Sequence, residues 1–222
     1  GSYAGRRLLP AGRAIRLLGG GNSRITVDGT LRARGGRIEA DIVAPDSDRR
    51  DSPASKAHNR AIWIGGGAVL DVSGQAAGAL DAQGLRYGKA PAGGSILLGG
   101  ALDWDASGAA PAARDLAIVI RPGALLDASG SRIAIDAARG NGLGARDLAG
   151  DGGQIVLKTT YGLFLDGEMR ASAGGAGAAG GTLALALETP TFPLSVSVDD
   201  AVRGVRELIL SQTTQSSGLA AN

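Results

Sequence analysis

Cysteine is absent from all 222 residues, which excludes disulfides and thiolate metal sites and leaves the redox compartment open. Aromatic residues make up only 3%, so a compact core built on Phe, Tyr and Trp is not available, and a thin core of aliphatics and alanine is expected. His58 is the one histidine, too few for a zinc site or a catalytic triad. It stands among Arg49, Arg50, Asp51, Lys56 and Arg60, which reads as a solvent-exposed loop. Charge of one sign is also lacking. The formal net charge is +2, and the arginines are scattered apart from Arg6-Arg7 and Arg49-Arg50, so there is no electrostatic footprint for nucleic acid. No apolar run approaches the ~18 residues of a membrane span. Pro10, Arg13 and Arg16 break up the leucines of 6–18, which argues against a signal-peptide core there. Gly1-Ser2 has the look of an expression scar, and the chain reads as a piece excised from a longer protein.

Glycine, by contrast, is abundant: 38 residues, with no three-residue period that would point to collagen. Between the glycines stand short apolar alternations: Ile25/Val27, Ile38/Ala40/Ile42, Ile62/Ile64, Leu70/Val72, Ile118/Ile120, Ile133/Ile135, Ile155/Leu157, Leu163/Leu165, Leu183/Leu185/Leu187 and Val196/Val198. Apolar residues two apart are the mark of a strand with one buried face. Two sub-motifs recur in alternation. One is Leu70-Asp71-Val72-Ser73-Gly74 and Leu126-Asp127-Ala128-Ser129-Gly130, with looser copies from Leu31 and Met169. The other is a double glycine opening a strand, at Gly35-Gly36, Gly93-Gly94, Gly152-Gly153 and Gly180-Gly181.

Strand, Ser-Gly turn, variable insert, double glycine, strand is the order of a solenoid. The expected fold is all-β: a right-handed parallel β-helix forming a single elongated domain over 1–222, with about ten coils of roughly 20 residues each. Stacked strands would lie about 4.8 Å apart, with glycine at corners that need positive φ or close backbone approach. Inserts are expected at about 44–60, 75–91, 105–114, 137–151 and 174–180, and Arg24, Glu39, Asp41, Asp71, Asp127 and Lys158 at outward-facing positions. Ile64, Leu70, Leu126, Ile155 and Leu185 are expected to point into the core. An antiparallel sandwich would want more aromatics and two-residue hairpins. Asp28-Gly29 and Asp166-Gly167 allow isolated hairpin-like corners.

The runs Ile62-Trp63-Ile64-Gly65-Gly66-Gly67-Ala68-Val69-Leu70-Asp71-Val72-Ser73-Gly74 and Ile120-Arg121-Pro122-Gly123-Ala124-Leu125-Leu126-Asp127-Ala128-Ser129-Gly130 resemble filamentous-haemagglutinin-type exoproteins of the two-partner secretion class. So do 152–157, the Ala-Gly tract 173–181 and the late Leu208-Ile209-Leu210. The resemblance covers 62–211 closely and the first sixty residues more loosely. It implies a long β-helical bacterial surface protein, exported through an outer-membrane partner transporter, that acts as an adhesin or delivers a toxin. The family's secretion domain carries an Asn-Pro-containing motif, and no asparagine here precedes proline, so the implied part is the shaft. Its localisation would be secreted or cell-surface, its partners a host or bacterial receptor or a glycan, and its exposed ends prone to end-to-end self-association.

Among motifs that suggest chemistry, Gly175-Ala176-Gly177-Ala178-Ala179-Gly180 fits the dinucleotide fingerprint, which must open a helix. A strand pattern follows here instead, so the tract reads as a loop. Asp103-Trp104-Asp105 places two carboxylates on one strand face with an indole between them. That could serve sugar contact or, with a second acidic cluster, glycoside hydrolysis; no such cluster accompanies it. Asp199-Asp200 suits a helix cap, and the calcium-binding nonapeptide is absent. The chain is therefore expected to be a non-enzymatic shaft or adhesin segment without cofactor or metal. The alternatives are a carbohydrate-binding surface using Trp63, Trp104, Asp103 and Asp105, and a β-helical polysaccharide-degrading enzyme.

Overall fold

The structure, a computed structural model, describes residues 14–21, 23–43, 60–101, 116–139, 142–159 and 162–187. They form strands and turns, with no helix among the described residues. Thirteen of the strands lie in three parallel sheets. The first contains β1 (Ala14–Gly20), β4 (Arg37–Val43), β9 (Ser95–Leu98), β14 (Gln154–Thr159) and β17 (Thr182–Leu187), side by side in that order. In the second, β2 (Arg24–Val27), β5 (Ala61–Ile64), β10 (Ala117–Ile120) and β15 (Gly162–Leu165) are neighbours. The third stacks β3 (Thr30–Arg32), β6 (Val69–Asp71), β11 (Leu125–Asp127) and β16 (Glu168–Arg170). The chain visits first, second and third sheet in turn, four times over, and then returns to the first with β17.

The period-two pattern fixes which side chains meet. In the first sheet Ile15, Ile38, Ile96, Ile155 and Leu183 share one column, and Leu17, Ala40, Leu98, Leu157 and Leu185 the next. The second sheet aligns Ile25, Ile62, Ile118 and Leu163, then Val27, Ile64, Ile120 and Leu165. The third aligns Leu31, Leu70, Leu126 and Met169. All these columns feed one apolar cluster, completed by the small corner residues Ala33, Ala68, Val72, Ala124 and Ala128. Each fully buried Ile or Leu there is worth about 1.5–3 kcal/mol of transfer from water. Of the residues expected inside, Ile64, Leu70, Leu126 and Ile155 are 1% exposed or less, and Leu185 packs against the cluster from the end.

Both recurring sub-motifs have a place in this architecture. The leucine-Ser-Gly motif and its looser copies build the third sheet, and the double glycine leads into every strand of the first sheet from β4 onward. At that corner Ser95, Gln154 and Thr182 donate backbone hydrogen bonds to the carbonyls of Gly36, Gly94 and Gly153, one round earlier. A Cβ on Gly94 would stand 1.9 Å from the Gly36 oxygen, and one on Gly153 2.0 Å from that of Gly94. Backbones approach so closely there that only glycine fits.

Several expectations need correcting. Among the described residues the strands stack four or five deep, fewer than the ten coils expected, because inserts separate the rounds along the chain. Asp28-Gly29 and Asp166-Gly167 are not hairpins; each is a corner between a second-sheet and a third-sheet strand. Ile133 and Ile135 do not join the core stack. They belong to an antiparallel hairpin, β12 (Arg132–Arg139) with β13 (Gly142–Ala149), so that insert begins earlier than 137. A second hairpin, β7 (Ala77–Leu80) with β8 (Arg86–Lys89), fills the insert expected at 75–91. The insert at 174–180 is a short turn with no strand, and 105–114 lies outside the described residues. Of 44–60 only Arg60 is described, and it is buried, its Nε donating to the Gly21 carbonyl at 2.7 Å.

The outward positions are also less exposed than alternation suggests. Asp41, Asp71 and Lys158 are buried, Glu39 and Asp127 partly so, and only Arg24 is exposed. Leu97 and Val156, which alternate with core residues in the first sheet, are 1% and 3% exposed without belonging to the core cluster. The middle strands of the first sheet are therefore buried on both faces, as parallel sheets commonly are.

Candidate contact surface

The second sheet turns a different side to solvent. Alternating with its core residues, Thr26, Trp63, Val119 and Phe164 form one outward column in register. Phe164 is 58% exposed, Trp63 and Val119 partly exposed. The neighbouring outward column begins at Arg24 and continues with Ala61, Ala117 and Gly162, so beside the aromatic ridge the surface is low. At the following corner the Arg121 guanidinium lies 5.6 Å from the centroid of the Trp63 ring, a cation–π contact that orients the indole. Asp28 and Asp166 are exposed along the same corner.

Trp63 is thus the one expected contact residue that the structure places. Asp103, Trp104 and Asp105 lie outside the described residues, as do His58 and Asp199-Asp200. Phe164 and Arg121 were not singled out by sequence reasoning. Phe164 could have been found by aligning Gly162-Leu163-Phe164-Leu165 with Ala61-Ile62-Trp63-Ile64, which puts Phe under Trp. Arg121 offers no such signal, because its approach to Trp63 crosses from one round to the next. The fingerprint-like glycine tract is a loop that leads into β17.

On the third sheet Arg32, Asp71, Asp127 and Arg170 share an outward column. Asp71 is covered by Arg34 at 3.1 Å and Arg32 at 3.5 Å. Its Oδ1 accepts from the backbone N–H and the hydroxyl of Ser73, and Asp127 accepts from the Ser129 N–H in the same way. The repeated Asp-x-Ser is therefore a turn former. The two hairpins leave the stack at the same corner, one round apart, and touch. Asp136 on β12 accepts from the Arg86 backbone N–H at 2.8 Å and from its guanidinium at 2.7 and 3.2 Å. Those bonds hold the Asp136 carboxyl below its ordinary pKa and raise that of Arg86. Arg132 does the same for Asp147 across the β12–β13 hairpin. Leu80, Tyr87 and Leu143 stand exposed on these hairpins. No group of three His, Cys, Asp or Glu side chains that could hold a metal occurs among the described residues. No family model, curated protein or solved structure matches the chain.

Proposed function

We propose that the chain is a length of right-handed parallel β-helix serving as the shaft of a large secreted bacterial surface protein of the filamentous-haemagglutinin type. It projects a distal activity or contributes to cell adhesion, and does no catalysis itself. An outer-membrane partner transporter would export the parent. The observation that carries this reading is the cyclic visit to three parallel sheets with apolar columns continuous through every round. Such a stack grows by repetition and is covered only where another round lies on it.

The ends of the columns support the same reading. Ile38, Ile96 and Ile155 are 1% exposed or less, whereas Leu183, next in their column, is 51% exposed. At the other end Ile15, Leu17, Ile25 and Leu31 are only partly buried. Among the described residues no strand lies beyond them, and a further round on either side would complete their burial. Sedimentation velocity over a concentration series tests this. The chain should associate as concentration rises, into species that grow more elongated with size, and Leu183→Arg should suppress association while circular dichroism stays β-type. A particle that stays strictly monomeric at every concentration would overturn the shaft reading. Incubation with acidic polysaccharides should release no reducing sugar; release would move the reading to the enzymatic alternative.

A further inference from the structure

The outward column of the second sheet has a geometry that the shaft role does not require. Neighbouring parallel strands lie about 4.8 Å apart, so Trp63 and Phe164, two strands apart in register, are spaced about 10 Å along the stack. Val119 forms an apolar step between them. The ridge runs across the strands, with the low Ala61, Ala117 and Gly162 shelf on one side. On its other side stand a cation, Arg121, and two exposed carboxylates, Asp28 and Asp166.

An extended β-1,4-linked sugar chain presents equivalent faces on every second ring, over a length comparable to two strand steps. The C–H face of a pyranose stacks on an aromatic ring, and its hydroxyls need both donors and acceptors at the rim. Arg121 supplies donors, and Asp28 and Asp166 supply acceptors. A polyanion would gain from Arg121 and from the exposed Arg24 but be repelled by the two carboxylates, so the balanced charge of this face favours a neutral chain. We infer that the outer face of the second sheet binds a neutral, extended β-1,4-linked polysaccharide laid across the strands, with alternate sugars stacked on Trp63 and Phe164. This rests on the strand register, the exposure of the ridge and the charges at its rim, and stands whether or not the chain is a shaft.

Trp63 and Trp104 are the only tryptophans, so in a Trp104→Phe variant indole emission reports on Trp63. Titration with cellohexaose, xylohexaose and chitohexaose should give a saturable emission change with at least one of them, with a dissociation constant of roughly millimolar or tighter. Phe164→Ala should weaken that binding about tenfold. It should leave the fold intact, since Phe164 is 58% exposed and outside the core cluster. Val119→Lys, which breaks the ridge between the two rings, should abolish binding. Calorimetry on the unsubstituted chain and on Phe164→Ala gives the same comparison without the Trp104 change. No response to any of the three sugars, equal binding by Phe164→Ala, or tighter binding of an oligogalacturonate would each overturn the inference.

Discussion

Leu126 and Asp127 are adjacent in sequence and do opposite jobs. The leucine is fully buried in the apolar cluster, while the aspartate closes a turn on the outer side. Truncating Leu126, Ile64 or Ile155 to alanine should cost about 2–5 kcal/mol in chemical denaturation, as buried aliphatic deletions do. Asp71→Ala should fall between that and a neutral surface change. It removes the acceptor for both Ser73 donors in a buried spot, a loss on the order of 1–3 kcal/mol. Asp127→Ala should be milder, because that carboxylate is less buried. The glycines make a sharper test. Gly94→Ala or Gly153→Ala drives a methyl into a backbone carbonyl and should cost on the order of 3–5 kcal/mol. Gly29→Ala, which would meet nothing within 4 Å, should be almost silent. Equal effects from the two sets would contradict the stacked corner.

Among the elements, the strands of the three parallel sheets were legible because alternation and glycine punctuation are local signals. Ile62-Trp63-Ile64 and Ile118-Val119-Ile120 read as strands with one buried face, and they are. Ile133-Ala134-Ile135 carries the same signal and is a strand as well, but in a hairpin outside the core stack, because alternation says that one face is covered and not by what. In the hairpin Ile133 packs against Gly78 and Gly88 of its neighbour, a partner set only by tertiary contact. The same blindness hid the burial of Asp41, Leu97 and Lys158, and the approach of Arg121 to Trp63. The hairpin contact should depend on pH. The Asp136 pKa is lowered in the folded chain by Arg86, so its contribution is present above the unfolded carboxylate pKa and is lost as pH falls through the folded value. Amide exchange in β12 should quicken relative to β10 on acidification into that range. Asp136→Asn should reduce that pH dependence to the share that the Arg132–Asp147 pair contributes. A β12-to-β10 ratio that stays constant through acidification in the unsubstituted chain would show that the pair does not hold the hairpins together.

At the scale of the whole molecule, stability is expected to be graded along the stack. Residues of β5, β9, β10 and β14 are covered by rounds on either side, whereas β1–β3 and β15–β17 are covered on one side among the described residues. Native-state hydrogen exchange should therefore be slowest in the middle strands and faster toward both ends. The central claim, that the chain winds repeatedly past three parallel sheets, is tested most directly by one distance. Thr30 and Glu168 occupy end strands of the third sheet, at outward positions in one register column. The chain has no cysteine, so Thr30→Cys with Glu168→Cys provides a clean pair for spin labels on two exposed positions. Three strand steps put their backbones about 15 Å apart, and a dipolar measurement should return a narrow distribution close to that value. A broad distribution, or a separation several times larger, would contradict the stacked register and with it the account of the fold.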